Sequence, residues 1–178
     1  MSDIGAALGM AAGLLTSFDA RLWSVVVLSL AVSISAVAIA TVIGLPLGAA
    51  LALARFPGRQ SVVVLINGFM GLPPVVVGLV IYLLLSRAGP LGSLGLLFTP
   101  SAMVIAQTVL VVPIIAGLAG QVIADAWQDY REQLRSLGVA PGQAIWTLIW
   151  DTRLSLLTVV LAGFGRASAE VGAVMIVG

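Results

Sequence analysis

Leu22-Trp-Ser-Val-Val-Val-Leu-Ser-Leu-Ala-Val-Ser-Ile-Ser-Ala-Val-Ala-Ile-Ala-Thr-Val-Ile-Gly-Leu-Pro-Leu-Gly-Ala-Ala-Leu-Ala-Leu-Ala54 contains no charged side chain. The hydrocarbon core of a bilayer is about 30 Å thick and is crossed by about 20 apolar residues of helix. This run exceeds that length, so it must tilt, bend or protrude. Pro46 lies between Gly44 and Gly48 and withdraws a backbone donor, which predicts a kink near one membrane face. The run stops at Arg55-Phe-Pro-Gly-Arg59, which reads as a tight solvent-exposed turn.

Three further stretches have the same character: 61–86, interrupted by Gly71-Leu-Pro-Pro74; 101–124, with Pro113 inside; and 154–177, which carries Arg166 and Glu170. Between them lie a glycine- and proline-rich loop at 87–100 and a segment at 125–153 that holds most of the charge. Hydrophobic residues make up 61% of the chain and charged residues 8%, and the mean hydropathy is +1.19. A soluble domain of this size has no interior large enough for so much apolar surface. The expectation is an all-α integral membrane protein, one polytopic helical bundle over 1–178 in contact with membrane lipid.

The same composition excludes several functions. The net charge is +1, and its basic side is arginine alone, which leaves no concentrated patch for nucleic acid. Without histidine or cysteine there is no thiolate or imidazole metal site and no common general base. A phosphate-binding glycine loop ending in lysine is also lacking, so no cofactor or catalytic constellation is expected in this chain. Residues 4–18 are apolar but follow Asp3 rather than a basic stretch, which predicts an interfacial or partly embedded N-terminal helix instead of a cleaved signal peptide. Arg55, Arg59, Arg131, Arg135 and Arg153 fall on one side of the spans, against Arg21 and Arg87 on the other. The arginine-rich loops are therefore expected to be cytoplasmic and the N-terminus outside.

The segment Tyr130-Arg-Glu-Gln-Leu-Arg-Ser-Leu-Gly-Val-Ala-Pro-Gly-Gln-Ala-Ile-Trp146 is a charged helix, a glycine-proline break and a second amphipathic turn. Two readings are open on the pattern alone. Ile145, Trp146 and Ile149 fill a groove on another protein, or the helix rests on lipid headgroups. This segment resembles the cytoplasmic loop of permease subunits of ATP-binding-cassette importers, whose pattern is E-A-A, three residues, then G. Glu132 and Gly138 match that pattern, Gln133 and Leu134 replace the alanines, and Asp151 lies near the place of an expected proline. The resemblance implies a helix that docks on a cytoplasmic ATPase, formed here by Glu132, Gly138, Pro141, Gly142, Ile145 and Trp146.

Gly71-Leu-Pro-Pro-Val-Val-Val-Gly78, Leu83-Leu-Leu-Ser-Arg-Ala-Gly-Pro-Leu-Gly92 and Gly163-Phe-Gly-Arg-Ala-Ser-Ala-Glu-Val-Gly-Ala-Val-Met175 resemble the molybdate and tungstate branch of these permeases, tungstate more closely. The resemblance implies the type I importer fold in a bacterial inner membrane, and a chain that stops short of the family's C-terminal span or spans. Implied partners are a second permease copy, ATPase subunits that hydrolyse ATP, and an external oxyanion-binding protein. Other readings are a permease for phosphate, sulfate or an amino acid, and a membrane assembly protein with no transport path.

Within the spans, Gly71, Pro73 and Pro74 form a helix break that is either a plain kink or a place where the N-terminal end of a new helix meets an oxyanion. Arg166 and Glu170 are four apart and can pair. The pair either lies on the anion's path, with Glu170 limiting how tightly Arg166 holds it, or is a structural ion pair. Asn67, Gln107 and Thr108 read as interhelical hydrogen-bonding groups.

Overall fold

A computed structural model of the chain describes residues 13, 20–54, 56–139, 141–170 and 172–178. The N-terminal helix expected over 4–18 lies outside the described residues, as does Arg55. Among the described residues the elements are α1 (Ala20–Leu53), α2 (Arg59–Met70), α3 (Pro74–Leu85), a 3-10 turn (Gly92–Leu94), α4 (Pro100–Ser136), α5 (Pro141–Asp151), α6 (Arg153–Ser168) and α7 (Gly172–Val177). Two helices, α1 and α4, are long and apolar enough to cross a membrane unaided. Each of two bent pairs adds one more span if it is counted as a unit: α2 with α3, bent by 100°, and α5 with α6, bent by 70°.

α4 is the spine. Its middle joins α1 and α6 in a cluster around Val37, Ala40, Val111, Ile115, Ala119, Ile123, Leu156 and Val159. Its first half packs Ala102, Ala106 and Leu110 against Val77 and Ile81 of α3 and Ala173 and Val177 of α7. With no hydrophobic force between helices in lipid, such contacts rely on small residues that let backbones close up. A Cβ on Gly44 would meet Ile115 Cγ2 at 2.9 Å, and one on Gly48 would meet Ala116 O at 2.5 Å and Gly120 N at 2.9 Å. Contacts that advance together along both helices mean that α1 and α4 run parallel. The turn after α1 and the charged end of α4 therefore lie at the same end of the bundle, and with them both arginine-rich loops.

Several local features follow the sequence reading. Pro46 and Pro113 sit inside α1 and α4 without ending either helix. After α1 the chain turns through Gly58 in a left-handed conformation, φ 85°. Arg59 then reaches back, donating from Nε to Leu51 O and from Nη2 to Ala52 O at 3.4 Å. These are end-of-helix carbonyls that would otherwise lack partners.

Two boundaries differ from the compositional ones. The composition changes at Asp125, but α4 runs on through it to Ser136, because Gln, Glu, Arg and Leu favour helix and nothing breaks it before Gly138. Gly138 has φ 66°, and Val139 N–H donates to Leu134 O at 3.1 Å, a Schellman closure. The apolar stretch 154–177 is two helices rather than one: α6 closes at Ser168 and α7 starts at Gly172.

Candidate functional site

The helix break at 71–74 is built by its prolines. Gly71 N–H donates to Gly68 O at 3.1 Å and Leu72 N–H to Phe69 O at 3.2 Å, which closes α2. Pro73, extended at φ −63°, ψ 124°, then caps α3, with Pro74 in its first turn, where a missing N–H costs nothing. Val76 and Val77 N–H both donate to Pro73 O. Among the described residues of this first turn, only Val75 keeps a backbone N–H without a partner, so the break offers a ligand far fewer donors than a free helix N-terminus would.

The second break lies against the first. A Cβ on Gly172 would touch Val75 Cγ2 at 3.2 Å, and one on Gly78 would meet Ala173 Cα at 3.0 Å. α3 and α7 thus run side by side with their N-terminal ends together, and Phe98 N–H holds the far end by donating to Val177 O at 2.9 Å. Gly71, Pro73 and Pro74 are in this way brought to the same level of the bundle as Glu170.

Arg166 lies in the last turn of α6, where the negative end of the helix dipole favours a cation. Its Nη1 donates to Glu170 Oε2 at 2.8 Å. Glu170 lies past the helix end and accepts the Gly172 N–H on Oε1 at 3.2 Å, so one carboxylate staples the two helices across the break. The Arg166 side chain is 36% exposed and that of Glu170 is 8%. In this conformation the guanidinium charge is therefore neutralised but still reachable. Gln107 on α4 donates from Nε2 to Ala167 O at 3.3 Å and lines one tight cleft with Arg166 and Glu170. Thr108 bonds back to Val104 O at 2.7 Å, a local bond. Asn67 faces a separate cavity of about 140 Å³ between α1, α2 and α4, shared with Arg59 and Gln121.

At the arginine-rich end, α5 shows a clear division of faces. Ala144 and Leu148 are buried, whereas Trp146 and Trp150 are 68% and 63% exposed. Ile145 turns inward to a pocket of about 500 Å³ with Leu53, Trp127 and Leu134, and Ile149 packs on the main core. The outward apolar surface is thus carried by Trp146 and by Trp150, which sequence reasoning passed over although it stands one helical turn from Trp146. Arg153 stacks over Trp150, 5.1 Å from the ring centroid, and donates to Trp150 O at 2.8 Å. Glu132 is exposed on α4, Gly138 ends that helix, and Pro141 and Gly142 open α5. Tyr130, beyond the span 101–124, has its hydroxyl pKa raised, first by the charge of Asp151, then by the hydrogen bond to it, with smaller effects of desolvation and Asp129. The phenol therefore stays protonated beside Asp151.

Residues 44–172 match the family described as binding-protein-dependent transport system inner membrane component. Over 155 residues the chain is 40% identical to a probable anion ABC transporter permease protein of Haloferax volcanii, covering 87% of this chain and 67% of that protein. It is 39% identical over 165 residues to the tungstate uptake system permease protein TupB of Peptoclostridium acidaminophilum, covering 93% and 72%. It is 30% identical over 166 residues to the sulfate transport system permease protein CysW of Synechocystis, covering 89% and 60%.

Proposed function

This chain belongs to the family of binding-protein-dependent transport system inner membrane components, and from that premise we propose that it is the membrane permease of an ATP-driven importer for a tetrahedral oxyanion, tungstate first and molybdate second. The single observation that carries the coupling half of this reading is the pair of exposed tryptophans, Trp146 and Trp150, on an amphipathic helix anchored by Leu148. Exposed aromatic anchors beside a buried stripe are the chemistry of a docking surface. Its occupant in this reading is a cytoplasmic ATPase subunit, which supplies the hydrolysis that this chain has no residues to perform. A second permease copy and an external oxyanion-binding protein complete the assembly. The choice of anion is supported by the relatives, among which a tungstate permease stands nearer in identity than a sulfate permease.

Tungstate uptake by cells that carry the permease with its ATPase and binding protein is the test. Uptake should be displaced by molybdate more readily than by sulfate; sulfate competing best would reassign the cargo. Trp146→Ala with Trp150→Ala should abolish uptake and co-purification of the ATPase while leaving the melting temperature of the permease within a few degrees, because both rings are exposed. Co-purification at the wild-type level would remove the docking assignment.

The sidedness that accompanies this reading places both arginine-rich loops in the cytoplasm, supported by their common end of the bundle. The chain has no cysteine, so single cysteines report cleanly. One at Phe56 should react with an impermeant thiol reagent only from the cytoplasm and one at Leu94 only from outside, both positions being exposed. The opposite pattern overturns the orientation.

A further inference from the structure

Gln107 uses only half of its amide. The Nε2 bond to Ala167 O sets the orientation of the group, and Oε1 is then left buried without a donor. The residue is 3% exposed, and the cleft it shares with Arg166 and Glu170 leaves no room for a water molecule. Solvent therefore cannot satisfy the oxygen, and this conformation carries the cost of an orphaned buried acceptor. Among the described residues lining the cleft, Arg166 is the side chain with N–H donors to offer, and of its five one is held by Glu170.

Resting on the reading of this chain as an oxyanion permease, we propose that Gln107 is the positioning residue for Arg166, the second acceptor that takes the guanidinium when its ion pair with Glu170 opens. The two acceptors differ in one decisive respect. A carboxylate cancels the charge of the arginine, whereas an amide oxygen aims the guanidinium and leaves its charge free for an oxyanion. The exchange needs little backbone movement, because Arg166 is in the last turn of α6 and Glu170 lies just past its end. Ala167 O keeps a donor throughout, since it also accepts from Glu170 N–H at 3.2 Å.

Tungstate uptake by the complete transporter, together with the melting temperature of the permease, tests the assignment. Gln107→Leu should raise the half-saturating tungstate concentration about tenfold, the worth of one hydrogen bond to a charged group, with no fall in melting temperature. Adding Glu170→Gln should bring it back to within about twofold, because Arg166 again has a neutral amide as its partner; a purely structural Gln107 gives no such rescue. Gln107→Glu serves if the leucine variant fails to fold: it keeps the size, gives Arg166 a second carboxylate and should abolish uptake in a folded protein. Wild-type half-saturation in Gln107→Leu or Gln107→Glu, or a leucine defect that Glu170→Gln leaves uncorrected, overturns the proposal. A wild-type transporter that moves neither tungstate nor molybdate defeats the parent reading instead, so the two failures are distinct.

Discussion

Gly48→Ala is expected to destabilise the bundle by about 3 kcal/mol, the upper part of the range for overpacking a tight contact. The added methyl would stand 2.5 Å from Ala116 O, 2.9 Å from Gly120 N and 3.2 Å from Ala119 Cβ. The first two are backbone atoms of α4 and cannot rotate away. Relief requires α1 and α4 to separate, which loosens the cluster of Val37, Ala40, Ile115 and Ala119 that also receives α6. Gly165→Ala is the matched control: it lies within α6 with nothing within 4 Å of its added Cβ and gains helix propensity. Thermal unfolding of both variants in lipid nanodiscs reads the difference. A Gly48→Ala protein that melts with the wild type would mean that α1 and α4 do not cross at this point.

How far the sequence carries depends on whether a feature is local. The run 22–54 becomes α1 because helix is the one way to satisfy its backbone in lipid. The break at 71–74 was legible because proline lacks a donor whatever surrounds it, and the Arg166–Glu170 pairing because residues four apart come together around a helical turn, although α6 ends before it reaches Glu170. Gly44 and Gly48, which flank Pro46, also mark the crossing with α4. The spacing of two small residues four apart was present at 44 and 48 and again at 116 and 120, yet spacing does not say which helices meet. The 100° bend between α2 and α3 was similarly out of reach, since prolines announce a break and packing sets its angle. In α6 and α7 local cues mislead: Gly163 and Gly165 stay helical while the chain opens at 169–170. The cause is tertiary. α7 must turn to lie on α3, where Gly78 admits Ala173.

The charge pair at that opening yields the sharpest test of transport. Removing its cation by Arg166→Gln leaves Glu170, 8% exposed, with the Gly172 N–H as its remaining partner. Stranding a buried carboxylate costs about 3–5 kcal/mol in a dry site; with Arg166 itself 36% exposed, solvent screening brings the expectation to about 2 kcal/mol. Glu170→Gln in the same protein removes the stranded charge and should restore the melting temperature, since a glutamine can still accept the Gly172 N–H. Stability and uptake then part company. If Arg166 draws the oxyanion through the bundle, the double variant melts like the wild type and its tungstate uptake stays at least tenfold down, because among the described residues no other cation lines the cleft. If the pair is only a staple between α6 and α7, the two neutral side chains do its work and uptake returns with stability. A stable and fully active Arg166→Gln, Glu170→Gln protein would leave the anion's path to be found elsewhere, with the cavity shared by Arg59, Asn67 and Gln121 the next place to look.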